Sequence, residues 1–407
     1  MTMLQAYLDF SRQNWRPLLF GALLLALSSF GQTYFVAVSG SFFRGAFHLS
    51  DGGLGTAYAV GTLLSALTLG WAGRLIDYTT VRRFTWCVAL LLAGACLLAS
   101  ASLNAVMLTV AFYGLRLGGQ GLMTHTAYTA TARAFPKDAG KAVGVVSLGI
   151  CIAQAVLPIL AVLLMERLGW RIAWALNAAF VLAGVTLALR FLPRAGDLPL
   201  RRRQAGGEAG AARPPPLWRD RRLWLACPAL LANPFIITGF FFHQARLAEQ
   251  KGWDLTLVAA SFAAFALVQA VAALAIGPVI DRLGPARVLS SFLIPQALGL
   301  VLLSVGTAPW VALAYMVLMA VSAAIGSTLS TALWVDLFGP ADLARVRSVA
   351  SAGAVVASGA SPVLMGLLID AGIPLAWQAV GCCVYTLLVS VVALGLRREG
   401  RAGRGEA

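Results

Sequence analysis

G277-P-V-I-D281-R-L-G-P-A-R287 lies between two long apolar runs, and G73-R-L-I-D77-Y-T-T-V-R-R83 stands 204 positions before it in the same setting. Gly73, Asp77 and Arg83 return in register as Gly277, Asp281 and Arg287. The same offset carries Asp138, Ser147, Gly149 and Pro158 onto Asp342, Ser351, Gly353 and Pro362. Identities that hold without a shift describe two copies of one unit of about 200 residues. A doubled hydropathy pattern is the mark of a carrier built from two halves, with its site where they meet.

Composition fixes the environment. Of 407 residues, 59% are apolar and only 12% charged, against roughly 25% charged in soluble domains. A crossing helix needs about 20 mostly apolar residues. Twelve segments qualify: 17–43, 53–73, 84–102, 106–130, 142–165, 171–192, 223–247, 257–280, 288–305, 310–335, 348–369 and 376–395. Backbone groups in lipid must find partners within their own segment, so these spans are helices. The expected architecture is an all-α membrane protein with two six-helix bundles, 1–192 and 223–407. Between them, 193–222 carries Arg201, Arg202, Arg203 and the run Pro214, Pro215, Pro216, a composition suited to a flexible linker beside anionic lipid.

The net charge of +15 is topological. With the N-terminus inside, the inner segments hold 25 Lys and Arg and the outer ones five: Arg44, Arg167, Arg171, Arg246 and Lys251. That asymmetry is the positive-inside rule, with both termini cytoplasmic, and it suits a bacterial inner membrane. No soluble domain is available to present a basic face to nucleic acid. The N-terminal Tyr7, Leu8, Phe10 and Trp15 read as an interfacial anchor rather than a cleavable signal. Six cysteines in or beside spans lack metal-ligand spacing and read as packing residues.

Both quoted loops resemble the signature loop of the major facilitator superfamily, G-x-L-x-D-R-x-G-R-R/K. The second copy keeps Asp281, Arg282 and Gly284, whereas the first has Tyr78 and Thr80 where the pattern has Arg and Gly. The resemblance implies a cytoplasmic gate formed by Gly73, Asp77, Arg83, Gly277, Asp281, Arg282 and Arg287. A Gly there admits a neighbouring helix, and the Asp accepts from helix-start N–H groups or pairs with Arg. F135-P-K-D-A-G-K-A-V-G144 and F338-G-P-A-D-L-A-R345 are similar to inner loops of the monocarboxylate-porter-like branch. That branch's acidic-Gly motif in span 1 and its Asp–Arg pair in span 8 are absent, since 257–280 holds no charge.

Arg116 is the one basic residue set deep in a span, about 15 Å into span 4. Such a position costs about 3 kcal/mol on insertion scales and calls for a cavity or a partner. No Asp or Glu sits mid-span anywhere in the chain. Two readings follow from the residues, a bidentate hold on a substrate carboxylate or a structural Arg bonded to backbone carbonyls and Gln neighbours; the family resemblance implies a third, a part in proton coupling. Helical spacing puts Tyr113 and Gln120 on its face and turns His125 away. Span 1 offers Ser28, Ser29, Gln32 and Ser39 on one stripe, span 5 Gln154, span 7 His243 and Gln244, and span 8 Gln269. Arg116, Gln120, Tyr113, Gln32, Gln154, His243, Gln244 and Gln269 are therefore the candidate substrate contacts. Each lone Gln or Ser is equally suited to helix–helix bonding. His243 has the side-chain type that titrates near neutrality.

Enzyme chemistry finds no purchase. The sequence lacks G-x-x-x-x-G-K-S/T and H-E-x-x-H, and its three histidines, at 48, 125 and 243, have no ligand spacing. The expectation is a secondary carrier with no cofactor and no metal, sufficient as a monomer. It would move a small organic anion, most simply a carboxylate, with protons as possible partners. A drug or metabolite efflux carrier of the same superfamily is the alternative.

Overall fold

A computed structural model describes residues 3–192 and 217–402; most of the 193–222 linker lies outside them. The described residues are helical throughout, without a strand. Among the described residues, ten helices are long and apolar enough to cross a membrane by themselves, from Asp51–Asp77 to Leu375–Leu396. Spans 1 and 4 complete twelve crossings, but neither is one regular helix.

Polar side chains set where several spans begin. Ser50 Oγ accepts from the Gly53 amide at 3.0 Å, Thr80 Oγ1 from Arg83 at 3.3 Å, Asn104 Oδ1 from Met107 at 2.9 Å and Asp254 Oδ1 from Thr256 at 2.6 Å. Each satisfies an amide left over at a helix start. Spans 10 and 11 run as Trp310–Asp370 and are separated at Gly339, whose φ of 74° is non-helical. Phe10 of the N-terminal helix packs edge-on against Phe135, and Trp15 against Phe191.

Span 1, expected as one helix over 17–43, is corrected to a series of pieces. Trp15–Ser28 gives way to a tight turn at Ser29–Gly31, Gln32 is extended, and Thr33–Ala37 and Gly40–Phe47 follow. The expected stripe of Ser28, Ser29, Gln32 and Ser39 is lost with that regularity. The serines serve packing instead: Tyr34 donates to Ser29 Oγ at 2.6 Å, and Trp174 Nε1 to Ser39 Oγ at 3.1 Å. Span 4 is interrupted as well, with Arg116–Met123 wound as a π-helix between Ala105–Leu115 and Thr124–Ala134. Its sequence, R-L-G-G-Q-G-L-M, holds three glycines. Wide turns of this kind inside helices are frequent at functional sites.

The chain divides into two compact units. The first comprises Met1–Leu200, Phe240–Leu267 and Pro362–Gly372; the second comprises Arg201–Gly239, Val268–Ser361 and Ile373–Ala407. The first unit therefore takes in one end of spans 7, 8 and 11 along with the first six spans. Within the second, Asn233 Nδ2 donates to Gln296 Oε1 at 3.1 Å, and the Gln296 amide to Ser322 Oγ at 2.9 Å. Large apolar side chains such as Leu67, Leu103, Val106 and Trp377 stand exposed, as suits a surface that faces lipid rather than water.

Candidate functional site

The two interrupted spans meet, and Arg116 stands at the meeting point. The turn at Ser29–Gly31 and the extended Gln32 take the Gly31 carbonyl out of the regular helical ladder, and Arg116 Nη1 donates to it at 3.3 Å. The same nitrogen donates to Thr33 Oγ1 at 3.2 Å. The guanidinium carbon lies 5.2 Å from the ring centroid of Tyr58, whose hydroxyl donates to Thr33 Oγ1 at 2.8 Å. Arg116 is 5% exposed, Tyr58 is fully buried, and Arg116 Nε has no partner within the protein. Among the described residues no carboxylate pairs with Arg116, so its charge is met only by a carbonyl, a hydroxyl and an aromatic face. The position one repeat later is Ala320. The duplicated architecture thus carries this cation in one copy only.

Tyr58 leads outward from there. Its ring lies 4.6 Å from that of Phe242, and Phe242 meets the His243 imidazole edge-on at 5.1 Å. His243 is 3% exposed. Its Nε2–H donates to the Pro362 carbonyl at 2.9 Å, while Nδ1 lies 3.8 Å from Asp51 Oδ1. Asp51 also pairs with Arg44, and Arg246 Nε lies 3.2 Å from its Oδ2. Glu249 receives Arg44 at 2.6 Å and Arg246 at 2.9 Å. The Asp370 carboxylate accepts from the amides of Asp51 at 3.0 Å and Gly52 at 2.9 Å, so the last residue of span 11 caps the start of span 2. The bond that Arg246 donates to Glu249, helped against the effect of burial by the fields of Asp51, Glu249 and Asp370, holds its guanidinium above the ordinary pKa.

Other expected contacts are dispersed. Tyr113 shares a 3.1 Å hydrogen bond with Thr68 Oγ1, and Gln120 is exposed while Arg116 is buried. The α-helical spacing that set the three on one face does not hold through a π-helical turn. Gln32 is half-buried beside the Gly31 carbonyl, and Gln154 and Gln244 are buried in the first unit. Gln269, half-buried, belongs to the second unit. Of the loop residues, Asp77 accepts from Arg133 at 2.5 Å, while Arg83, Asp281, Arg282 and Arg287 are exposed. A Cβ on Gly73 would meet His125 at 3.6 Å, and one on Gly277 would meet nothing within 4 Å. His125 borders a cavity of about 420 Å³ with Arg74, Asp77 and Arg133.

Sequence reading missed Thr33, Tyr58, Asp51 and Asp370. Tyr58 had a signal, as a phenol inside an apolar run. The acids lie at span ends rather than mid-span, and nothing in the local pattern marks them. Among the described residues no group of three or more His, Cys, Asp or Glu is placed to hold a metal.

The described residues form an all-helical fold of membrane-spanning length, with a buried cation where two interrupted spans meet, the architecture expected of a membrane carrier. The sequence matches the description Major Facilitator Superfamily over residues 18–260 and again over 235–406. The chain belongs to that superfamily. No curated protein sequence matches it. Among solved structures it is similar to a bacterial homologue of the human lysosomal transporter Spinster, inward-facing and occupied. There the TM-score is 0.74 and the identity 16%, over 94% of this chain and 96% of that one. It is likewise similar to a mutant form of the nucleoside transporter NupG, with a TM-score of 0.73 and 14% identity over 93% and 99%. At these identities the likeness is one of fold.

Proposed function

We propose that this transporter carries a small organic anion, most simply a carboxylate, by alternating access with proton coupling. The observation that carries the reading is Arg116: buried, deep in its span, and without a carboxylate partner. A cation held in low dielectric by a carbonyl, a hydroxyl and a ring retains attraction for an anion. A guanidinium with a free Nε edge suits the two oxygens of a carboxylate. The halves 1–192 and 223–407 rock about that site, with the 73–83 and 277–287 loops gating the cytoplasmic side. Both termini are cytoplasmic, the membrane is a bacterial inner membrane, and one chain suffices. The loops at 135–144 and 338–345 support placement near the monocarboxylate-porter-like branch.

The second reading, an efflux carrier for drugs or neutral metabolites, draws on the aromatic surroundings of Arg116, where Tyr58 packs against both Phe112 and Phe242. Uptake into proteoliposomes separates the two, with labelled carboxylates and nucleosides offered in parallel. Under the first reading, Arg116→Ala abolishes carboxylate uptake and Arg116→Lys lowers it about tenfold or more, since an ammonium keeps the charge but loses the planar fork. Undiminished carboxylate uptake in both variants overturns the role of Arg116. Transport of nucleosides alone overturns the substrate class.

A further inference from the structure

We infer that His243 Nδ1 and Asp51 Oδ1 form a proton-binding site, and that loading this site clamps shut the end of the transporter that carries Arg44. The inference rests on the alternating-access reading above but not on the nature of the cargo. The tautomer is set by the fold. Because Nε2 must donate to the Pro362 carbonyl, Nδ1 of a neutral imidazole turns a bare lone pair toward Asp51 at 3.8 Å. Two acceptors then face each other in a buried place. One proton on Nδ1 replaces that repulsion with an ion pair.

Charge counting over the whole cluster points the same way. Asp51, which faces His243, is linked to charged groups from four elements, its own included: Arg44 at the end of span 1, Asp51 at the start of span 2, Arg246 and Glu249 in the helix after span 7, and Asp370 at the end of span 11. Among these five side chains two guanidinium groups meet three carboxylates, which leaves the set one positive charge short while the imidazole is neutral. Protonation of His243 balances it. The bonds involved join segments distant in sequence, with Asp51 tied to the spans that end at His243 and Asp370, so their strength sets how firmly this end stays closed. When it opens, the imidazole meets water, loses its carboxylate partner and releases the proton to the solvent on that side. The contacts from His243 through Phe242 and Tyr58 to Arg116 give a packed route between this cluster and the anion site.

The amides of Asp51 and Gly52 bond to Asp370, so their hydrogen exchange reports closure without any substrate. The test is hydrogen–deuterium exchange of the purified full chain from pH 5.5 to 8, corrected for the intrinsic pH dependence of exchange and read on peptides covering 50–55. Expected is a fall in protection of about tenfold or more as pH rises, which corresponds to about 1.4 kcal/mol of closure. In His243→Gln, which keeps an N–H donor for Pro362 but does not titrate, the profile is flat. Asp370→Asn removes the excess negative charge, and the midpoint moves to lower pH by several tenths of a unit or more. That shift is one a purely structural residue would not produce, and it stands even if the His243 variant fails to fold. A wild-type profile without pH dependence overturns the inference, as does a His243→Gln profile like the wild type or an Asp370→Asn midpoint that stays put. Each of these results leaves the Arg116 uptake assay unaffected, so the two readings fail separately.

Discussion

Gly31 and Gly119 meet backbone to backbone: a Cβ on Gly119 would lie 2.7 Å from both the amide nitrogen and the Cα of Gly31. On Gly31, a Cβ would come within 2.0 Å of the Leu115 carbonyl oxygen. Only hydrogen side chains let the turn of span 1 nest in the wide turn of span 4, and that closeness brings the Gly31 carbonyl to Arg116. Small residues serve helix contacts in membranes in this way. Gly119→Ala is expected to destabilise the first unit by about 1–3 kcal/mol, because backbone atoms cannot rotate aside. A lowered thermal midpoint in detergent checks this, and an unchanged midpoint would show that the contact relaxes freely.

Tyr58→Phe isolates one bond of the anion site. It keeps the ring under the Arg116 guanidinium but deletes the hydroxyl that donates to Thr33 Oγ1. A lost neutral hydrogen bond is worth about 0.5–1.5 kcal/mol. KM for the transported anion is expected to rise by about two- to tenfold, alongside a modest fall in thermal midpoint from the same lost bond. Tyr58→Leu, which removes the ring as well, has the larger effect. Initial uptake rates across a concentration series measure both.

The all-helical spanning fold was legible because burial in lipid writes itself as long apolar runs. Arg116 was legible for the same reason, as a cation where none is cheap. Its partners were not. The break at Gly31–Gln32 contains no proline, and an uninterrupted helix over that stretch would have set Ser28, Ser29 and Gln32 on one stripe. The Asp51–Asp370 contact joins residues 319 apart, and each acid alone looks like a solvated helix end. Local pattern reports what a residue must avoid. It does not report which distant residue will meet that need.

Gly55 tests the clamp from its other side. A Cβ there would lie 2.4 Å from the Pro362 carbonyl oxygen, the acceptor for His243, and one on Gly366 would lie 2.5 Å from the Asp51 carbonyl oxygen. Gly55→Ala should force span 2 and span 11 apart at this end and break the His243 bond. The expected outcome is faster hydrogen exchange in peptides covering 362–372, with slowed transport. Peptides covering 81–101, in span 3, serve as the control and should be unchanged.

Asp220 carries the last prediction, at the start of span 7. Arg222 donates to its carboxylate through Nε at 3.1 Å and Nη2 at 2.7 Å, and the Arg222 amide adds a bond of 2.9 Å. So oriented, Arg222 Nη1 reaches the Leu337 carbonyl and the guanidinium lies 4.7 Å from the Phe338 ring centroid, at the end of span 10. The hydrogen bond from the Arg222 side chain holds the Asp220 carboxyl below its usual range. A carboxylate whose folded pKa is depressed stabilises the fold above its unfolded value of about 3.9, and that contribution fades as pH falls through the lower folded value. Because the pair is partly exposed, its contribution is at most about 1 kcal/mol. Asp220→Asn should therefore lower the thermal midpoint equally at pH 7 and pH 5. The difference from wild type should shrink as the pH falls below about 4 and on through the lower folded value, where the wild-type carboxyl takes up its proton. Midpoints measured from pH 3 to pH 7 on both proteins decide it, and a gap at pH 3 as large as that at pH 5 would assign the effect to shape rather than to charge.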